Sequence, residues 1–225
     1  MRVASLFSGG KDSTFATYLA MQNGFDVVYL ISILPKNKES YMFHFPNIGL
    51  TKLQAKAMNI PIIQKKTSGG KEKEIDDLRD ILAMKKEKIE GVVSGAIESD
   101  YQKTRIDGVC EALGLRSFAP LWRKNQEDLL REEINAGFDV IITGCFAAGL
   151  TKNWLGKKID EECIKELVKL KNKFGINICG EGGEIETFVL DCPLFKKRIE
   201  IKKGVVEWCE NHGIYQIKKA ILVEK

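Results

Sequence analysis

The sequence Ser8-Gly9-Gly10-Lys11-Asp12-Ser13 stands between a short apolar run, residues 3–7, and a stretch with apolar residues at helical spacing, residues 14–23. This order predicts a strand, a sharp turn on two glycines, and a helix. Such a junction directs unpaired backbone N–H groups and the positive end of a helix dipole at one point, which suits a phosphate. The Lys11 ammonium adds a mobile positive charge, and the Ser8 and Ser13 hydroxyls can donate to phosphate oxygens.

The hexapeptide is not the P-loop of nucleotide hydrolases. That loop has a glycine five residues before its Gly-Lys pair and Ser or Thr after the lysine. In this chain those positions hold Ser5 and Asp12. The remaining alternative is a strand–turn–helix junction whose serines only cap the helix. The complete hexapeptide in this context favours phosphate binding.

Strand-like and helical segments alternate over the first two thirds of the chain. Strands are predicted at residues 3–7, 26–34, 60–66, 91–95, 116–119 and 138–144, with helices at 14–23, 49–58, 72–89, 99–113 and 126–136. The alternation predicts an α/β fold with a doubly wound parallel sheet. Such sheets bind ligands beyond the carboxyl ends of their strands, so the residues that follow Leu34, Lys66, Gly95 and Gly144 are expected near the loop.

The alternation changes near Cys145. A helix at 161–174 is followed by a glycine-rich turn and β-like segments at 188–190, 198–208 and 215–223. We predict one domain over residues 1–145 and a smaller β-containing C-terminal subdomain over residues 146–225, packed together in one compact body.

Composition narrows the function classes only moderately. The chain has 35 basic and 31 acidic residues and a net charge of +4, which permits an acidic partner without requiring one. No stretch approaches the roughly 20 apolar residues of a membrane span, and Met1 leads directly into a predicted strand, so we expect a cytoplasmic protein. The 6 cysteines include no CxxC pair, which disfavours a zinc or paired-thiol centre.

Residues 180–187, Gly-Glu-Gly-Gly-Glu-Ile-Glu-Thr, carry three carboxylates within six positions: Glu181, Glu184 and Glu186. Close carboxylates repel one another, so we expect them near water, a metal or cationic groups. A solvated acidic turn is the structural alternative. There are two functional alternatives: the carboxylates hold Mg²⁺ together with phosphates, or they attract an amine.

Residues 95–105 run from a predicted strand end into a helix. Ser99 is a candidate N-cap, and Gln102 completes a capping box. Asp100 and Arg105 exceed what capping requires. The planar guanidinium of Arg105 suits a phosphate or a carboxylate, and a surface arginine is the alternative.

Residues 68–71 repeat the first four letters of the opening loop after another predicted strand. The Asp-Ser ending is missing, and Glu72 and Glu74 place negative charge in the first helical turn, where it already complements the dipole. We predict that this segment is not a second nucleotide loop.

The hexapeptide resembles the pyrophosphate (PP) loop of the N-type ATP pyrophosphatases, which cleave ATP between its α- and β-phosphates. Together with residues 95–105 and 180–188, it makes the chain resemble the diphthine–ammonia ligase family in its short, archaeal-type form. Residues 154–156 and 189–195 support the likeness. The resemblance implies a fold of the adenine nucleotide alpha hydrolase-like, HUP type, with residues 1–145 binding the nucleotide and residues 146–225 completing the active site.

The family performs the last step of diphthamide biosynthesis. The resemblance implies an ATP-dependent, AMP-forming amide ligase. It would adenylate a carboxylate on the modified histidine of translation elongation factor 2, release pyrophosphate, and let ammonia displace AMP. The implied cofactors are ATP and Mg²⁺, and the implied partners are the diphthine-bearing elongation factor and ammonium. The resemblance implies no membrane partner and disfavours a nucleic-acid partner. It does not decide whether the protein forms a homo-oligomer.

The resemblance also implies roles for individual residues. Ser8, Gly9, Gly10, Lys11 and Ser13 would hold the β- and γ-phosphates, and Asp12 would orient the loop or contact Mg²⁺ through water. Adenine would lie at the strand end of residues 31–34, with Ile33 and Gly95 at the cofactor. Arg105 would neutralise charge on phosphate or position the substrate carboxylate. Glu181, Glu184 and Glu186 would hold metal, bind ammonium or accept a proton. The predicted substrate-binding residues are Asp100, Tyr101, Gln102, Arg105 and Thr187.

Two other functions share the loop. A tRNA-modifying ATP pyrophosphatase would also adenylate its substrate, but thiolation usually needs paired cysteines or zinc, and an RNA-binding protein is expected to be more basic. A non-catalytic ATP-binding sensor of the same fold would not need the acidic segment.

Overall fold

The computed structural model describes residues 1–35, 47–67 and 71–225. Its first sheet has five parallel strands: β1 Arg2–Leu6, β2 Asp26–Pro35, β3 Ile62–Thr67, β4 Gly91–Val93 and β5 Arg116–Phe118. Their order is β3-β2-β1-β4-β5. The chain therefore winds outward from β1 in one direction and returns to wind outward from β4 in the other. The gap between the ends of β1 and β4 is the topological switch point.

Helices cover both faces of this sheet, which confirms the doubly wound α/β prediction. Helices α1 (Lys11–Gln22) and α2 (Thr51–Met58) share a core cluster with Val3, whereas α3 (Lys71–Lys85) and α4 (Asp100–Leu113) share a second cluster with Ala4. Val3 and Ala4 are consecutive in β1, and successive strand residues point to opposite faces of a sheet. Short 3₁₀ turns lie at Ile48–Leu50, Lys86–Lys88 and Lys152–Trp154.

A second sheet is antiparallel and has the order β7-β6-β9-β8. Its strands are β6 Asp139–Cys145, β7 Ile185–Asp191, β8 Arg198–Cys209 and β9 His212–Val223, and helices α5 (Gln126–Asn135) and α6 (Glu161–Phe174) accompany them. The expectation that β6 ends at the carboxyl edge of the parallel sheet is wrong, because β6 pairs with β7 and β9. Its continuous apolar run marks a central, buried strand, and such a run does not reveal which sheet contains it.

The two sheets share apolar packing through α1. The Phe15 ring of α1 meets Phe138, just before β6, edge to face with centroids 5.4 Å apart. Both rings belong to the same buried cluster as Phe188 of β7. The bounds 1–145 and 146–225 stay a prediction, since sheet membership does not show which segments fold together. Within the described ranges, every helix is too short or too polar to cross a membrane.

Candidate active site

A cavity of about 400 Å³ opens at the switch point. The loop after β1, the loop after β4 and the glycine-rich turn before β7 all contribute to its wall. This arrangement brings the opening hexapeptide and the acidic segment to one place, although they are far apart in the sequence. The lining residues are Leu6, Phe7, Ser8, Gly10, Asp12, Ser13, Ile31, Ser94, Gly95, Ala96, Ser99, Gln102, Ile106, Phe146, Cys179, Gly180, Glu181, Gly182, Gly183, Ile185, Glu186 and Thr187.

Hydrogen bonds from both halves of the chain hold the hexapeptide in a fixed turn. Gly9 has a φ of +81°, in the left-handed region that favours glycine. The Ser8 and Ser13 hydroxyls lie 3.0 Å apart, and the Ser8 N–H donates to the Ser13 hydroxyl at 3.2 Å. From β7, the Thr187 hydroxyl accepts from the Lys11 N–H at 3.1 Å. The hydroxyls at the helix N-terminus therefore face a cavity in which a phosphate would fit.

Lys11 is buried, so the expectation of a mobile cation is wrong. Its side chain is 1% exposed, and its Nζ lies 2.5 Å from the Asp12 Oδ1 and 3.9 Å from the Glu133 Oε2. Burial is the largest influence and opposes the charged form, but the Asp12 and Glu133 carboxylates together contribute enough to hold the pKa of Lys11 above its ordinary value. Lys11 does not line the cavity. Its contact with phosphate stays a prediction.

Glu133 of α5 is a site residue that the sequence reasoning missed. It is 1% exposed, and burial raises its pKa well above the ordinary value of 4.5. A signal was available, because Glu133 follows the buried Leu129 by four residues and therefore shares its helix face. A glutamate on an apolar helix face is rarely buried without a partner.

Two of the three predicted acidic residues bind backbone N–H groups with their carboxylates, and one of them, Glu181, also lines the cavity. The Glu181 Oε1 accepts from three consecutive N–H groups just before α4, those of Ile97, Glu98 and Ser99, at 3.0, 3.0 and 2.8 Å. Glu184 does not line the cavity, and its carboxylate accepts from the N–H groups of Asn177 and Gly182. Their catalytic roles stay predictions.

Glu186 is the buried carboxyl group of the segment. It lies on β7, is 9% exposed and lines the cavity together with Asp12. Burial and, secondarily, the Asp12 carboxylate raise the pKa of Glu186 well above its ordinary value. A carboxyl group with a raised pKa at a cavity wall is suited to proton transfer near neutral pH.

Only some residues of the segment 95–105 line the cavity. Gly95 and Gln102 line the cavity, and the Ser99 hydroxyl accepts from the Gln102 N–H at 3.2 Å, which confirms the N-cap. The Ser99 N–H, which a full capping box would bond to Gln102, donates to Glu181 instead.

Outside the hexapeptide, four predicted binding residues do not line the cavity: Asp100, Tyr101, Arg105 and Ile33; within it, Gly9 and Lys11 do not. The Arg105 guanidinium lies 3.7 Å from the centroid of the Tyr101 ring. Ile33 is buried in the cluster beneath α3 and α4, and Ile31 lines the cavity in its place. Substrate and cofactor contacts of these four residues stay predictions.

The prediction of a metal contact at Asp12 and the prediction for residues 68–71 stay predictions. In the described ranges, no three His, Cys, Asp or Glu side chains are grouped to hold a metal ion. The oxygen atoms of Asp12 and Glu186 suit Mg²⁺ chemically, because this ion usually takes one or two carboxylates and completes its shell with phosphates and water. The repeat at residues 68–70 lies outside the described residues.

We expect Gly95→Ala to disrupt the switch point. A Cβ at Gly95 would lie 2.8 Å from the backbone of Asp12 and Ser13, so the loops after β1 and β4 would have to separate. We expect a loss of about 1–3 kcal/mol in unfolding free energy, measured with denaturant, and weaker ATP binding. Gly108→Ala on α4 is the control, since nothing lies within 4 Å of its Cβ and alanine favours helix by about 1 kcal/mol. Equal stability of the two variants would contradict this packing.

Comparisons with known proteins identify the family of the chain. The model of the diphthamide synthase N-terminal domain matches residues 1–117, and that of the diphthamide synthase C-terminal domain matches residues 125–223. The chain is 40% identical to the rat protein named diphthine–ammonia ligase, over 89% of this chain and 83% of that protein. For the human protein of that name the identity is 39%, over 92% and 85%. The fission yeast (Schizosaccharomyces pombe) protein is 37% identical over 100% of this chain but only 40% of its own length. The chain therefore belongs to the diphthamide synthase family.

Proposed function

We propose that this protein is an ATP-dependent diphthine–ammonia ligase of the cytoplasm. It would convert diphthine on translation elongation factor 2, ammonia and ATP into diphthamide, AMP and pyrophosphate. The observation that carries the proposal is the cavity where the loop at residues 8–13 meets Glu186, because it joins a phosphate-binding turn to a buried proton acceptor. Family membership and the names of the relatives support the substrate.

The first half-reaction is adenylation. An oxygen of the substrate carboxylate attacks the α-phosphorus of ATP, and the bond to the bridging oxygen of the β-phosphate breaks. Ser8, Gly10 and Ser13 bind the departing pyrophosphate through hydroxyl and N–H groups, and the adenine lies toward Ile31. Bound Mg²⁺ would neutralise phosphate charge, with Asp12 as its protein contact. Positioning and electrostatics carry this step, because no covalent enzyme intermediate is needed.

The second half-reaction is amide formation. Ammonia forms a C–N bond with the acyl carbon, the C–O bond to AMP breaks, and the nitrogen must lose one proton. Glu186 in its ionised form accepts that proton. Glu181 and Glu184 keep the glycine-rich turn in place, since their oxygens are engaged by backbone N–H groups. Arg105 would act on the substrate carboxylate.

AMP release tests the proposal against its two alternatives. The purified protein is incubated with ATP, Mg²⁺ and ammonium, with diphthine-bearing elongation factor 2, with tRNA, or alone. AMP that depends on both the elongation factor and ammonium, with a mass change of the factor matching amidation, is the expected result. AMP that depends on tRNA would support the tRNA-modifying alternative. Tight ATP binding without turnover under any condition would support the sensor.

A further inference from the structure

Gln54 of α2 is a buried side chain that touches the hexapeptide from behind. It is 0% exposed. Its Nε2 donates to the Gly9 carbonyl at 2.8 Å and to the Val189 carbonyl at 2.9 Å. Both partners are acceptors only, so the amide nitrogen must face them and the orientation of the side chain is fixed. One side chain thus connects the loop after β1 to strand β7.

The Gly9 carbonyl accepts two hydrogen bonds, and the one from Gln54 is the first. It accepts a second hydrogen bond from the Val189 N–H at 3.1 Å. The Gln54 Oε1 leaves no room for a side chain at position 9, since a Cβ on Gly9 would lie 2.2 Å from it. Gly9 is therefore fixed both by its left-handed φ of +81° and by a buried amide packed against its Cα.

The Gln54 Oε1 is buried and has no hydrogen-bond partner in the described part of the chain. A buried polar atom without a partner costs roughly 1–3 kcal/mol, so stability alone does not explain the presence of glutamine here. The glutamine supplies a buried amide nitrogen that donates two hydrogen bonds, one to the Gly9 carbonyl and one to the Val189 carbonyl. With the Gly9 carbonyl turned into the protein, its neighbours Ser8 and Gly10 stay on the cavity wall.

We propose that Gln54 is a positioning residue for the pyrophosphate loop. It holds the Gly9 carbonyl inward and so presets the loop to bind the pyrophosphate part of ATP. The inference rests on the proposed function only for the nature of the ligand. A loop that is already in its binding conformation binds phosphate without an entropic cost for ordering it. Where positioning matters, a misplacement of the bound groups by about 1 Å can lower the reaction rate about 100-fold.

The test compares Gln54→Glu, Gln54→Met and Gln64→Glu. The first keeps the shape but replaces both donations with carboxylate oxygens, and the second removes the donors without adding charge. Gln64 is the matched control, because its Nε2 donates to the Thr51 hydroxyl of the same helix at 2.8 Å without touching Gly9. The dissociation constants of ATP and of inorganic pyrophosphate are measured by calorimetry on protein whose fold is checked by circular dichroism.

We expect both Gln54 variants to weaken ATP and pyrophosphate binding roughly 10- to 100-fold, and Gln64→Glu to change it less than threefold. If Gln54→Glu does not fold, Gln54→Met carries the test. A lower Tm with unchanged dissociation constants would overturn the inference and leave Gln54 a purely structural residue. Neither readout uses elongation factor, so the outcome is separate from the fate of the proposed substrate.

Discussion

Glu186→Gln is expected to separate the two half-reactions. Adenylation uses the hexapeptide and needs no proton acceptor at β7, so ATP–pyrophosphate exchange in the presence of diphthine-bearing elongation factor should stay within about threefold of wild type. Amide formation should fall roughly 100- to 10,000-fold, the usual contribution of a general base. The measurements are isotope exchange for the first step and mass spectrometry of the elongation factor for the second.

Glu200→Gln is the matched control for this experiment. It makes the same change in a carboxylate that is 42% exposed on β8 and paired with Lys202. Both rates should be unchanged in the control. If amide formation in Glu186→Gln equals that of wild type, the proton acceptor lies elsewhere. If exchange is lost as well, Glu186 acts in adenylation, for instance through Mg²⁺.

The same variant should change how stability depends on pH. Burial raises the folded-state pKa of Glu186 and of Glu133 above 4.5, so the folded protein binds protons more tightly than the unfolded chain. The stabilisation is therefore complete below the unfolded pKa and is lost as the pH rises from about 4.5 through the folded pKa values. Glu186→Gln should flatten the fall in unfolding free energy over that range, measured by urea denaturation at pH 5 and pH 8. An unchanged slope would show that Glu186 does not titrate there.

The sequence was informative wherever the structure depends on local order along the chain. The loop at residues 8–13, the N-cap at Ser99 and the alternation of strands and helices each rest on neighbouring residues. The meeting of this loop with Gly95 also followed, because the carboxyl ends of parallel strands share one edge of the sheet.

Long-range partners could not be predicted in the same way. The buried Lys11 lies close to Glu133 of α5, and this contact joins residues more than a hundred positions apart. Glu181 could be recognised as acidic, but its attachment to the N–H groups before α4 is visible only in three dimensions. Gln54 belongs to no sequence motif that could have indicated its role. A motif therefore indicated which chemistry is present, and packing determined which side chain faces the cavity.

Lys11→Ala is expected to lower AMP formation by roughly 30- to 1,000-fold, which corresponds to about 2–4 kcal/mol in the barrier. The buried ammonium is the only cationic group within 4 Å of Asp12 among the described ion pairs, and Asp12 lines the cavity. Without that charge, the Asp12 carboxylate faces the incoming phosphates uncompensated. The rate of AMP release with saturating elongation factor and ammonium is the measurement.

Stability and activity must be measured together for this variant, because removing one partner of a buried pair also destabilises the fold. We expect a loss of about 2–3 kcal/mol in unfolding free energy, less than for a fully buried pair since Asp12 is 23% exposed. Lys158→Ala is the control: its pair with Asp139 lies at the surface, and both AMP release and stability should stay near wild type. If Lys11→Ala were folded and released AMP at the wild-type rate, residues 8–13 would not be the pyrophosphate loop, since the charge at its centre would then have no part in breaking the α–β bond of ATP.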